Sequence, residues 1–328
     1  MRNATNYREI AVAPMMDWTD RHCRYFLRLL SPSARLYTEM VTAAALIHGD
    51  AEKLLQFDAA EHPVALQLGG SDPGMMADAA AMGAKAGYDE ININVGCPSD
   101  RVQSGAFGAC LMSCPEVVAD CVRAMQSVVD IPVTIKTRIG IDDFDSYDFL
   151  RDFICANVEA GCDTFVVHAR KAILAGLSPK ENRSIPPLDY ERVYKLKQEF
   201  SELAIILNGG ITSIDECRSH LEQVDGVMIG RQAYQSPWFL TELEQAFGSV
   251  AGYVVPDRHE VIQRMTPYIE REIASGAELK HITRHVLGLF AGQPGARAWR
   301  RYLSENAHRP GAGIEVLHAA LERLPRAA

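Results

Sequence analysis

A (β/α)8 TIM barrel followed by a smaller all-helical C-terminal domain is the α/β fold that this sequence predicts, and three observations carry it. Short apolar, β-branched runs recur eight times. Amphipathic, helix-compatible segments separate most of them, at spacings mostly of roughly 25 to 40 residues. After residue 256 the strand pattern stops and helical periodicity takes over. Strands buried on both faces and alternating with helices build a parallel sheet, and eight such units over roughly 250 residues match a closed barrel.

In chain order, IAVAPMM (10–16) ends on Pro14, Met15 and Met16, and ARLYTEM (34–40) carries Glu39 near its end. PVALQLGG (63–70) presents Gln67 ahead of the amphipathic stretch 73–86. In EININVG (90–96), Ile91, Ile93 and Val95 alternate with Asn92 and Asn94 until Gly96-Cys97-Pro98 breaks the pattern, which ends a strand and delivers an amide and a thiol together. A helical pattern at 116–129 leads to PVTIKTRIG (132–140) with Lys136 and Arg138, and one at 146–160 leads to TFVVHAR (164–170) with His168 and Arg170. Past 189–200 comes AIILNGG (204–210) with Asn208-Gly209-Gly210, and past 213–222 comes GVMIGRQ (226–232) with Gly230-Arg231. A doubly wound open sheet is the alternative, against which stands the absence of G-x-G-x-x-G after the first strand. Core strands have little structural use for polar groups at their C-terminal ends, whereas a barrel builds its active site there.

The helical period beyond the strands runs through Val261, Ile262, Met265, Tyr268 and Ile269, then Ile282, Val286 and Leu289, then Trp299 and Leu303. The expected division is therefore a catalytic barrel over 1–250 and a helical domain over 257–328. Formal charge is −9, which alone argues against a nucleic-acid partner, but its distribution does not. From Asp257 onward 11 Lys/Arg face 8 Asp/Glu, giving +3 and leaving −12 on residues 1–256. Between 280 and 310 six basic residues stand against Glu305 alone, and Arg297, Arg300 and Arg301 fall at i, i+3 and i+4 on one helix face. A one-signed face of this kind suits phosphates.

No run of about 18 apolar residues appears and no signal-peptide pattern opens the chain, so the cytoplasm and no membrane are expected. Most of the eight cysteines (among them Cys121, Cys155, Cys162 and Cys217) lie inside periodic segments and read as reduced core thiols, so the glycosylation-like triplets at Asn3 and Asn182 mean little.

NGGI (208–211) and IGRQA (229–233) follow the seventh and eighth runs, where barrels bind phosphate through glycine-freed N–H groups, here with Arg231 beside them. Two roles compete for Lys136: a Schiff-base nucleophile, or a cation beside an anionic ring. Arg138 and His168 as neighbours favour clamping an anion-prone heterocycle. A cysteine thiol, with a reference pKa of about 8.5, is mostly protonated at neutral pH and can serve as an acid, which is the role open to Cys97. Zinc is the rival reading. Cys97, Cys110 and Cys114 form C-x12-C-x3-C without a second pair of ligands, and HITRH (281–285) lacks the glutamate of a zincin, so no metal is expected. A thiol opposite an anion-clamped ring asks for delivery of a hydride and then a proton.

APMMDWTD (13–20), QLGG (67–70), NINVGCPS (92–99), KTRIG (136–140), HARKAILAGLSPKENRSIPPLDY (168–190), NGGI and IGRQAYQSPW (229–238) together closely resemble the tRNA-dihydrouridine synthases, the A type in particular, over essentially the whole chain. That resemblance implies an FMN enzyme that uses NADPH to reduce the C5–C6 bond of D-loop uridines in tRNA. It implies that Pro14, Met15 and Met16 line the flavin, that Gln67 and Lys136 bond its polar ring edge, and that His168, Asn208, Gly209, Gly210, Gly230 and Arg231 hold the phosphate. It further implies that Asn94 bonds the uracil edge, that Cys97 protonates C5 after hydride reaches C6, and that Lys180, Arg183, Arg297 and Arg300 bind the tRNA. A monomer is expected. A flavin-dependent reductase of a free pyrimidine or another small molecule on the same barrel is the alternative.

Overall fold

A computed structural model of the chain describes residues 9–99, 102 and 105–325; Asn3 and the outer ends of the two expected domains lie outside them. The strands are β1 (Glu9–Val12), β2 (Leu36–Tyr37), β3 (Val41–Thr42), β4 (Val64–Gly69), β5 (Glu90–Val95), β6 (Val133–Arg138), β7 (Thr164–His168), β8 (Ala204–Asn208) and β9 (Gly226–Ile229). Between them run α1 (Arg21–Leu30), α2 (Ala43–His48), α3 (Ala51–Leu54), α4 (Pro73–Ala86), α5 (Pro115–Gln126), α6 (Tyr147–Glu159), α7 (Tyr190–Glu199) and α8 (Ile214–Leu221). After β9 come α9 (Arg231–Gln235), α10 (Phe239–Phe247), α11 (Arg258–Ala274), α12 (Leu279–Thr283), α13 (Ala296–Asn306) and α14 (Ile314–Leu321).

Helix starts follow local chemistry. The Asp72 carboxylate accepts the Met75 N–H with Pro73 at the first helical position, and Ser213 with Glu216 forms a reciprocal capping box on α8.

All the strand pairings are parallel, in the order β1-β9-β8-β7-β6-β5-β4-β2, with β3 extending the β2 side of β4. The ring closes between β1 and the start of β2, where Val12 N–H donates to the Arg35 carbonyl and Arg35 N–H to that of Ile10. β2 and β3 together make one interrupted stave, so the expected barrel of eight staves is the observed fold. Period-2 alternation assigns the faces. Ala11, Tyr37, Ala65, Val166, Ile206 and Met228, from six different strands, pack in one cluster that only the barrel interior can hold. Leu66 and Ile91 face outward onto α4, which comes so close that a Cβ at Gly83 would sit 2.6 Å from Leu66 and 2.8 Å from Ile91.

Contacts divide the chain into two compact units, residues 1–16 with 35–230 and residues 17–34 with 231–328. This partition differs from the expected one at 250/257, because α1, α9 and α10 group with the C-terminal helices. Sequence periodicity shows that a helix buries a face, not which partner it buries it against. Within the second unit Tyr25 of α1 stacks on Tyr268 of α11 at 3.9 Å between ring centroids, the Tyr268 hydroxyl lies 2.7 Å from His22 Nδ1, and Arg21 pairs with Glu272. Among the described residues no helix is long and apolar enough to cross a membrane.

Candidate active site

Asn94 stands at the C-terminal end of β5 and organises the turn that follows. Its Oδ1 accepts the backbone N–H groups of Gly96 (3.1 Å) and Cys97 (3.0 Å), and its Nδ2 donates to Gln67 Oε1 (2.8 Å). The other side of the turn is held by Arg138, whose Nε donates to the Gly96 carbonyl at 2.8 Å, and by Ala109 N–H, which donates to the Cys97 carbonyl at 2.9 Å. Cys97 is thus fixed at its N–H and its C=O, with Sγ half-buried and 3.5 Å from Ser99 Oγ. A backbone so constrained aims its side chain.

Lys136 lies opposite Asn94 in the β5–β6 register, Arg138 opposite His168, and His168 opposite Asn208, so the strand ends bring these residues together. Lys136 Nζ donates to Asn208 Oδ1 at 3.1 Å, and Asn208 Nδ2 donates to the Met228 carbonyl at 2.7 Å, which fixes the ammonium over the mouth. Burial, reinforced by the Arg138 charge and opposed by Cys97, lowers the Lys136 pKa to about 7. Burial also pushes His168 well below its ordinary value, and the other causes are the cations Arg138, Lys136, Arg170 and Arg183. Burial and the surrounding cations thus disfavour the charged form of His168. Cations crowded to the point of depressing one another fit an anionic ligand, since an anion reverses the sign of each of those interactions.

Gly209 and Gly210 have φ of +120° and +76°, so their N–H groups turn in a way other residues rarely permit. A Cβ on Gly209 would lie 2.7 Å from His168 Cδ2. At Gly230 a Cβ would meet no protein atom within 4 Å, so that backbone borders open space. Pro14 and Met15 are half-buried, Met15 against the interior cluster, and Met16 is 56% exposed. Glycine backbone, buried cations and flanking apolar side chains fit a phosphorylated flavin. Arg231 follows Gly230 directly as the first residue of α9, in the second unit.

The family model described as "Dihydrouridine synthase (Dus)" matches residues 11–324. The chain belongs to the dihydrouridine synthase family. It is 61% identical over 316 residues to the tRNA-dihydrouridine(20/20a) synthase of Escherichia coli K12, covering 95% of this chain and 90% of that protein. With the protein of the same name from Vibrio vulnificus it shares 59% over 319 residues, 97% of each. A solved complex of 2-naphthoyl-CoA reductase superposes with a TM-score of 0.55 at 9% identity, over 73% of this chain and 50% of that one, a likeness of fold alone.

For a dihydrouridine synthase, several residues matter that the sequence left unassigned. Gln67 and Asn94 were expected each to meet a ligand, yet they bond one another, and Asn92 joins them: Gln67 Nε2 donates to Asn92 Oδ1 at 2.8 Å. Arg138, expected only as a neighbour of Lys136, is a buried hub whose Nη1 also donates to the carbonyls of Lys171 (3.0 Å) and Asn182 (3.1 Å). Asn182, whose triplet carries no meaning as a glycosylation signal, is fully buried and pins the 173–182 segment through Ile173 at both N–H (2.7 Å) and carbonyl (2.8 Å). That segment leads into the 3-10 turn Glu181–Arg183, which leaves Lys180 and Arg183 exposed. The signal available was the alternation of Glu90, Asn92 and Asn94 with apolar residues, which marks a polar inner face.

In the second unit Arg297, Arg300 and Arg301 are exposed on α13, opposite the buried Trp299 and Leu303. The basic excess counted over 280–310 is partly neutralised: Lys280 pairs with Glu278, Arg284 with Asp20 at 2.9 Å, and Arg301 lies 3.9 Å from Glu305. The cysteines read as core thiols are unbridged; burial pushes Cys121, Cys162 and Cys217 up to about 12, and Cys155 is half-buried. Among the described residues no group of three or more His, Cys, Asp and Glu could hold a metal ion.

Proposed function

We propose that this dihydrouridine synthase acts in the cytoplasm on D-loop uridines 20 and 20a of tRNA, the positions its relatives carry in their names, with FMN bound in the barrel mouth and NADPH as reductant. One observation carries the reading: a doubly anchored Cys97 turn stands beside buried, anion-seeking cations on the neighbouring strand ends. Lys136 and Gln67 would hold the polar edge of the ring, against Pro14, Met15 and Met16. His168, Asn208, Gly209, Gly210 and Gly230 would hold the phosphate, with Arg231 next to Gly230 in sequence. A bound flavin supplies hydride transfer, from NADPH to C6 of the uracil.

Cys97 then gives its Sγ proton to C5 and recovers one from solvent, completing a two-electron, two-proton reduction. Asn94 uses one Nδ2 hydrogen on Gln67, and its second is directed to the uracil edge. A uridine folded within tRNA must be extruded to reach such a pocket, so Lys180, Arg183, Arg297 and Arg300 would hold the backbone while the base enters.

Cys97→Ala tests this by separating the half-reactions. Flavin bleaching by NADPH should keep its rate while dihydrouridine formation on unmodified tRNA falls by about 10²-fold. Normal product formation in the variant would remove Cys97 as the acid, and reduction of free uracil at the rate of tRNA would remove tRNA as the substrate.

A further inference from the structure

Beneath the Cys97 turn a hydrogen-bonded line crosses the barrel interior from one end to the other. From the top, Asn94 donates to Gln67 (2.8 Å), Gln67 to Asn92 (2.8 Å), Asn92 Nδ2 to Thr134 Oγ1 (2.8 Å), and Thr134 Oγ1 to Glu90 Oε1 (2.6 Å). Tyr37 also donates to Glu90 Oε1 at 2.8 Å, and Arg35 Nε lies 3.4 Å from Glu90 Oε2 and donates to Glu9 at 3.1 Å. The five linked side chains are buried.

The direction of this line is set at the top by groups that cannot reverse, and at the bottom it meets a carboxyl to which both Thr134 and Tyr37 donate and which Arg35 faces. At the top the N–H groups of Gly96 and Cys97 can only donate, so the Asn94 oxygen must face them and its amide hydrogens must face Gln67. Each amide below is then forced the same way round, and the hydroxyl of Thr134 has to find an acceptor. Glu90 is that acceptor, held in place by Tyr37 and Arg35.

We propose that Glu90 and Thr134 are positioning residues for Cys97, fixing the orientation of the Asn94 amide, and through it the thiol-bearing turn, by a directed relay from the opposite end of the barrel. Without the acceptor, the Thr134 hydroxyl turns toward Asn92 and the amides can invert. An inverted Asn94 would set its hydrogens against the N–H groups of Gly96 and Cys97. Cutting the line leaves a buried donor unpaired at its lower end or, on inversion, sets donor against donor at Asn94; either costs about 1–3 kcal/mol, roughly five- to a hundredfold, so the correct turn loses the preference that the intact line gives it. Arg138, on the Gly96 carbonyl, is independent of the relay and keeps the loop from collapsing.

The relay rests on the reading of Cys97 as the acid of uridine reduction, so the test has one arm that does not depend on it. Thr134→Val removes both roles of the hydroxyl at nearly constant shape, Thr134→Ser restores them, and Asn92→Leu cuts the same line one link nearer the thiol. In full-length flavin-loaded enzyme whose flavin has been reduced beforehand, Thr134→Val should lower single-turnover dihydrouridine formation about tenfold. Site-resolved alkylation by iodoacetamide should change at Cys97 by a similar factor and stay constant at the exposed Cys114. Thr134→Ser should return both readouts, and Asn92→Leu should repeat the loss. Unchanged Cys97 alkylation in Thr134→Val and Asn92→Leu, or failure of Thr134→Ser to rescue, would overturn the relay. If alkylation responds but wild-type enzyme makes no dihydrouridine, the relay stands and the proposed reaction falls.

Discussion

Lys136 makes the anion site testable through pH. Its ammonium is half-buried near Arg138 with a pKa of about 7, against 10.5 for an ordinary lysine. The acceptor edge of a flavin ring bound against it takes a hydrogen bond from the charged form and raises that pKa, so above pH 7 binding must be accompanied by proton uptake. The sign follows: affinity is highest below about 7 and falls as pH rises between the two values. If bound FMN returns Lys136 to 10.5, affinity should drop about 50-fold from pH 7 to pH 9, or roughly 2 kcal/mol at about 1.4 kcal/mol per factor of ten. A phosphate monoester has its second ionisation near about 6, below this window, so it does not produce the slope. Apoprotein would be titrated with FMN by fluorescence quenching across pH 6.5–9.5 in wild type and Lys136→Met. The variant should bind more weakly with a flat profile over the same range. A flat wild-type profile, or an equal slope in Lys136→Met, would refute the placement of this ammonium against the cofactor.

The glycines give a paired test: Gly230→Ala adds a methyl that meets no protein atom within 4 Å, whereas at Gly209 it would lie 2.7 Å from His168 at φ +120°. Gly230→Ala should therefore keep its melting temperature yet lose FMN retention about tenfold or more, by a crowding cost of about 1–3 kcal/mol, while Gly209→Ala loses both; full flavin content in Gly230→Ala would mean that the phosphate does not approach that backbone. For the arginines exposed on α13, the double change Arg297→Ala with Arg300→Ala should flatten the slope of log tRNA affinity against log salt by roughly 1.5, at 0.7–0.9 per phosphate contact, with FMN content and NADPH oxidation intact. An unaltered slope in filter binding would make α13 a solvated face.

The strands and most helices between them were legible because each depends on a local pattern: β-branched apolar runs for the staves, caps such as Asp72 and Ser213 for the helices. Strand-end chemistry was legible for the same reason, since register follows from period 2 and places Lys136 beside Asn94 and His168 beside Asn208. Partnership was not. Nothing local to residues 17–34 says that α1 groups with helices more than 200 residues away, and nothing local to Asn182 separates a surface triplet from a buried pin. The count of positive charges in 280–310 overstates the unpaired charge for a related reason, because Asp20, which pairs with Arg284, is remote in sequence.

The interior of the barrel shows how one alternation serves two needs. Ala11, Tyr37, Ala65, Val166, Ile206 and Met228 form an apolar filling drawn from β1, β2, β4, β7, β8 and β9, and Met15 packs on it from above. The line from Glu90 to Asn94 runs along β5, with Gln67 and Thr134 joining from the strands on either side. A buried polar line is tolerated only when every link is satisfied, and then each link constrains the next. Apolar filling fixes volume and leaves the rotation of an amide unconstrained. The polar stripe therefore lies under the Cys97 turn, the element whose orientation the proposed reaction would demand, and the apolar part lies under Met15, where the proposed flavin ring would rest.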